Sequence, residues 1–159
     1  MDIFKESTDV LFQYTSKPSY GKSGDDGGYS ITIYADGRYV HEKYQIGNRE
    51  CVSRTVELLP EEALDTVINL MINVESMIMS FPDRVIGCCD GDIYTFKFGT
   101  KEVVADNSMA KNHPVRLFAR RLLNAVNYQK KKYNIDVEAN MPRMVYAPPD
   151  VMRNMKKDD

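Results

Sequence analysis

The dipeptide Asp36-Gly37 stands between two runs that alternate apolar and polar residues, Tyr29–Ala35 and Arg38–Ile46. An Asp-Gly pair in that setting is among the strongest short-range hairpin signals, because both central residues of a type I′ turn need positive φ. Gly47-Asn48-Arg49 then turns the chain into another alternating run, Glu50–Leu58, so a three-stranded antiparallel meander is expected. Val10–Thr15 is rich in β formers and reads as a strand ahead of it. Between the two lies a loop holding Pro18, Gly21, Gly24, Asp25, Asp26, Gly27 and Gly28.

The meander's register follows from loop length and apolar pattern. A two-residue Asp36-Gly37 turn sets Ile33 opposite Val40 and Ile31 opposite Glu42. A three-residue second loop sets Val40 opposite Val56, Glu42 opposite Arg54 and Tyr44 opposite Val52. Tyr29, Ile31, Ile33, Val40, Tyr44, Val52, Val56 and Leu58 then share one face. Thr32, Tyr34, Tyr39, His41, Lys43, Ser53 and Thr55 share the other. A slip of one residue would reverse a whole strand's facing.

Pro60, with Glu61 and Glu62 behind it, suits the start of a helix. Leu64, Val67, Ile68, Met71, Val74 and Ile78 continue it at helical spacing to about Met79. Leu70 and Met77 lie beside that stripe and widen the apolar arc. Arg84–Cys89 reads as a strand, and Asp92–Phe98 and Lys101–Asp106 pair across Gly99-Thr100, with Tyr94, Phe96, Phe98, Val103 and Ala105 on one face and Lys97 opposite Glu102. Pro114 opens a second helix to about Tyr133, with Val115, Phe118, Leu122, Ala125 and Val126 toward the core. The order lacks βαβα alternation, which argues against a doubly wound sheet. The expected fold is α+β: an antiparallel sheet of about five to six strands with two helices packed on one face. Residues 1–135 form a single domain in this reading, and 136–159 an extended, partly ordered C-terminal tail. With 43% apolar and 28% charged residues in 159, the composition is that of a globular domain.

The net charge is only −2, yet Asn107–Ile135 contains no acid and carries Lys111, Arg116, Arg120, Arg121, Lys130, Lys131 and Lys132. Arg116, Arg120, Asn124, Asn127 and Lys131 fall on one flank of the second helix. Of these, Arg116, Arg120 and Lys131 are the candidate contacts for an anionic partner, nucleic acid included. No aromatic platform interleaves with the arginines, which disfavours single-stranded nucleic acid. Three cysteines, Cys88 and Cys89 adjacent, make no disulfide framework, and Met1–Thr8 has no apolar h-region. A cytoplasmic location with no membrane partner is expected.

Motifs for chemistry are weak. Gly21-Lys22-Ser23 lacks the upstream glycine of a phosphate loop, where Ser16 stands. Asp25-Asp26 and Asp90-Gly91-Asp92 lack calcium-loop spacing. Cys51, Cys88 and Cys89 with His41 and His113 do not form a zinc pattern, so no metal or other cofactor is expected. His113 reads as a helix-entry residue. His41 is the better candidate base, near Ser53 and Thr55, for a small hydrolase, without a nucleophile elbow. The expected function is instead a non-enzymatic module that binds another protein, one concrete form being an inhibitor or immunity-type protein that blocks an enzyme. Its candidate surface residues are Tyr34, Tyr39, His41 and Lys43 on the tyrosine face, and Leu70 and Met77 on the first helix. A homodimer or the tail is expected to cover the last two.

Overall fold

A computed structural model describes residues 9–18, 27–45, 50–87 and 92–133. The elements are β1 (Val10–Lys17), β2 (Tyr29–Tyr34), β3 (Arg38–Tyr44), β4 (Cys51–Leu58), α1 (Glu61–Asn73), α2 (Glu75–Met79), β5 (Arg84–Val85), β6 (Ile93–Phe98), β7 (Lys101–Ala105) and α3 (Pro114–Tyr133). Seven strands make one sheet in the order β4-β3-β2-β1-β6-β7-β5. Every pairing is antiparallel except β5 with β7. The fold is α+β as expected, but among the described residues it has seven strands in a mixed sheet and three helices, not five or six strands and two helices. β1 is the seam, joining the meander through β2 to the second hairpin through β6.

The extra helix comes from a break. Val74 has φ −123° and ψ 24°, which ends α1 and starts α2. Asn73 and Val74 are both poor helix formers, and the apolar spacing alone does not register them. α3 runs over the predicted residues, and its start is capped by His113, whose Nδ1 accepts the Val115 N–H at 3.2 Å.

The first hairpin departs from expectation by one residue. Its loop is Ala35-Asp36-Gly37: the Gly37 N–H donates to the Tyr34 carbonyl at 3.0 Å, and Gly37 sits at φ 96°. A three-residue loop closed by a glycine at positive φ is the alternative an Asp-Gly pair also allows. Ile33 therefore faces Tyr39 and Ile31 faces His41, while Val40 faces Thr32. The next pairing is as expected, with Val40 opposite Val56 and Glu42 opposite Arg54. A bulge near its end sets Tyr44 opposite Cys51 instead of Val52. The slip at the first loop moves Val56 and Leu58 to the face opposite Ile33. It also brings Tyr39, His41, Lys43, Thr55 and Glu57 onto Ile33's side.

That side is the one the helices cover. Phe12, Ile31, Ile33, Tyr39, Phe96, Phe98, Val103 and Ala105 form one core with Ala63, Val67, Met71 and Ile78 from α1 and α2, and with Val115, Phe118, Leu122 and Val126 from α3. Phe98 is central: the rings of Phe12, Phe81 and Phe118 each lie 5.6 Å from it. Val40 is buried but lies outside this cluster, because it points the other way. The second hairpin has the predicted register, with Lys97 opposite Glu102 and Phe98 opposite Lys101 across Gly99 at φ 63°. No helix among the described residues is long and apolar enough to cross a membrane.

Candidate functional site

The expected tyrosine surface does not form. Tyr39 and His41 are only 2% and 3% exposed, beneath α3, while Tyr34 lies on the opposite face under the Arg38 guanidinium at 4.3 Å. Lys43 is exposed. The physical reason is the three-residue loop, which turns Tyr39 and His41 toward the core. They belong to a polar cluster between β3, β4 and α3. Lys130 Nζ is 2.7 Å from the Glu57 carboxylate and 4.2 Å from the Tyr39 ring centroid. Burial, with Glu57 close by, pushes the Tyr39 hydroxyl above its usual range. Burial first, then Lys43 and Lys130, depress His41 to about 4, so its imidazole is neutral at physiological pH. Thr55 is the register partner of His41, yet its buried Oγ1 makes no hydrogen bond among the described residues. The geometry does not assemble His41 and Thr55 into a base and nucleophile.

The other face of the sheet carries the unexpected surface. From Ser53 to Leu58, β4 alternates, with Ser53, Thr55 and Glu57 toward the helices and Arg54, Val56 and Leu58 toward the opposite face. Ser53, Thr55 and Glu57 are half-buried, whereas Val56 and Leu58 are 54% and 72% exposed, with Val52 at 61% beside them. β4 is also an end strand: among the described residues only β3 pairs with it. It is eight residues long and contains neither proline nor lysine, two devices that commonly blunt such edges. Sequence reading missed this patch because alternating valines signal a buried face; the register turns Val56 and Leu58 away from the helices, and they are exposed although Val40 beside them is buried.

A third feature runs along the flank of α3. Arg116 lies with its guanidinium 5.3 Å from the Tyr94 ring centroid, so the basic ridge is not simply a solvated face. Tyr94 and Tyr14 are stacked at 6.3 Å, Tyr14 and Tyr29 meet at 6.0 Å, and Tyr29 reaches the buried His41 at 5.9 Å. The row crosses β6, β1, β2 and β3. No family model and no curated protein matches this chain.

The first-helix candidates do not share a surface. Leu70 is half-buried against the core, and Met77 on α2 is 38% exposed. Gly21-Lys22-Ser23, Asp25-Asp26, Cys88-Cys89, Asp90-Gly91 and the C-terminal tail lie outside the described residues. Among the described residues no group of three or more His, Cys, Asp or Glu is placed to hold a metal ion.

Proposed function

We propose that this chain is a non-enzymatic protein-binding module, and that its docking site is the outer face and free edge of β4. The observation that carries the reading is the outward alternation of Val56 and Leu58, with Val52 beside them, on an end strand. The partner chemistry this suits is an extended segment of another protein. Such a segment would add to β4 by main-chain hydrogen bonds and set apolar side chains, at every second position, against Val56 and Leu58. An inhibitor or immunity-type protein that occludes a partner enzyme is one form of such a module.

The test is affinity capture on immobilised full-length chain, comparing wild type with the Val56→Lys and Leu58→Lys variants. These side chains are exposed, so the substitutions leave the fold in place. A stoichiometric partner retained by wild type and lost by both variants supports the reading. A partner held equally by all three, or no stoichiometric partner, overturns it. A wild-type homodimer that Val56→Lys converts to monomer also overturns it, by assigning the edge to a second copy.

A further inference from the structure

The free edge of β4 carries a charge as well as an apolar surface. Resting on the docking site proposed above, we infer that β4 takes up an antiparallel strand of the pattern apolar-x-apolar-x-acidic. Its apolar side chains lie against Leu58 and then Val56, and its carboxylate against Arg54.

The phase of the β3–β4 ladder decides which groups reach the edge. Antiparallel pairs alternate between those that exchange main-chain hydrogen bonds and those that do not. The Leu59 N–H donates to the Gly37 carbonyl at 2.8 Å, so the bonded pairs that follow are Glu57 with Tyr39, Thr55 with His41 and Ser53 with Lys43. The Tyr44 N–H donates to the Gly28 carbonyl at 2.9 Å, which gives β3 the same phase from its other side. The N–H and C=O groups of Arg54, Val56 and Leu58 therefore point to the free edge. Their side chains share the outer face, and all are exposed. The bulge beyond the Lys43–Ser53 pair bounds this ladder at one end. Pro60, which has no N–H, bounds it at the other.

Those positions select the occupant. In an antiparallel ladder the residue bonded to each lies directly across from it, with its side chain on the same face. Val56 and Leu58 favour apolar neighbours there, and Arg54 favours an acid. Glu42 is the register partner of Arg54 on β3, yet neither forms an ion pair among the described residues. Glu42 also stands two strand spacings, roughly 10 Å, from the incoming acid, about a Debye length. On the inner face the alternate residues lie beside half-buried Ser53, Thr55 and Glu57, which suits polar side chains. Parallel addition is disfavoured, because parallel pairs are less stable and occur where both faces are covered. A second copy of this chain does not meet the charge. In any antiparallel register of Arg54–Leu58 on itself, Arg54 faces Arg54, Val56 or Leu58, never a carboxylate.

The experiment is selection from a displayed library of random peptides, each long enough to span Arg54–Leu58, on immobilised full-length chain. Wild type is compared with Arg54→Glu, Arg54→Gln and Val56→Lys, each checked for folding by circular dichroism. Wild type should enrich the stated pattern, with the acid on the C-terminal side of the apolar pair. Peptides ending in an acid should be favoured over their lysine counterparts about two- to thirtyfold, the range for replacing a like-charged cross-strand pair by an opposite one. Arg54→Glu should invert that ratio and Arg54→Gln should erase it, so the second variant decides should the first not fold. Alternating apolar peptides that Val56→Lys loses, but with no charge preference or with the acid on the N-terminal side, would overturn this inference and leave the β4 docking site standing. No enrichment, or enrichment that Val56→Lys retains, would overturn the docking site itself and the inference with it.

Discussion

His41 should make this protein acid-sensitive, and the size of the effect follows from its surroundings. The ring lies 3% exposed under α3, stacked on Tyr29, and its proton affinity is depressed from the ordinary 6.5 to about 4. Burial is the largest cause, followed by Lys43 and Lys130. Below about pH 6.5 the unfolded chain takes up a proton at His41 that the folded chain refuses until about pH 4. The unfolded state then binds more protons, so stability falls as the pH drops through that window. At 1.36 kcal/mol per pH unit the loss is up to about 3 kcal/mol, with the exposed Lys43 contribution reduced by salt. The assay is urea unfolding of wild type and His41→Gln at intervals between about pH 7 and about pH 4. Every other titratable group is common to both proteins, so the difference between the two curves isolates His41. Wild type should lose up to about 3 kcal/mol relative to the variant on acidification. Parallel curves, or a wild type that gains stability relative to the variant, would refute the reasoning.

Two further perturbations test the same region and the turns. Lys130→Met leaves the Glu57 carboxylate half-buried without its 2.7 Å partner and should cost about 2–4 kcal/mol in urea unfolding. The same change at Lys97, in an exposed 3.6 Å pair with Glu102, should stay within about 1 kcal/mol. Gly37→Ala meets only φ strain, because the nearest side-chain atom would be 3.4 Å away, and should cost roughly 1 kcal/mol by thermal unfolding. Gly28→Ala is harsher: at φ 99° its methyl would overlap the Ser16 carbonyl oxygen, so the first pair of strands must part and the loss should clearly exceed that at Gly37. Equal losses at the two glycines would contradict the described approach of Gly28 to β1.

Much of the fold is legible in the chain where the signal is local. Pro114 and the apolar spacing behind it define α3, and Gly99-Thr100 fixes a hairpin whose register needs no outside information. Asp36-Gly37 is local too, but it suits both a two-residue turn and a three-residue loop with the glycine at positive φ. The two-residue turn is the one expected from the sequence, and the valines of β4 then select a three-residue second loop, on the premise that apolar alternation faces inward. That premise fails at β4, and the failure hides the exposed patch while making the buried Tyr39 and His41 look like surface. Glu42 and Arg54 lie opposite one another as expected, while the ion pair beneath the helices is Glu57–Lys130. The sheet order that places β1 between β2 and β6 has no local signature, so the tyrosine row could not be assembled from spacing. The strand expected over Arg84–Cys89 is present as the two residues of β5, too few for periodicity to set its parallel pairing with β7.

The most direct test of the protein-binding reading is amide hydrogen exchange on the full chain, free and in complex with the partner that the capture experiment retains. An added strand would pair with the β4 amides that point away from β3, so these alternate amides from Cys51 to Leu58 should exchange quickly in the free protein and slow markedly in the complex. Protection confined to α2 or α3, with β4 exchanging at its free rate, would contradict the account.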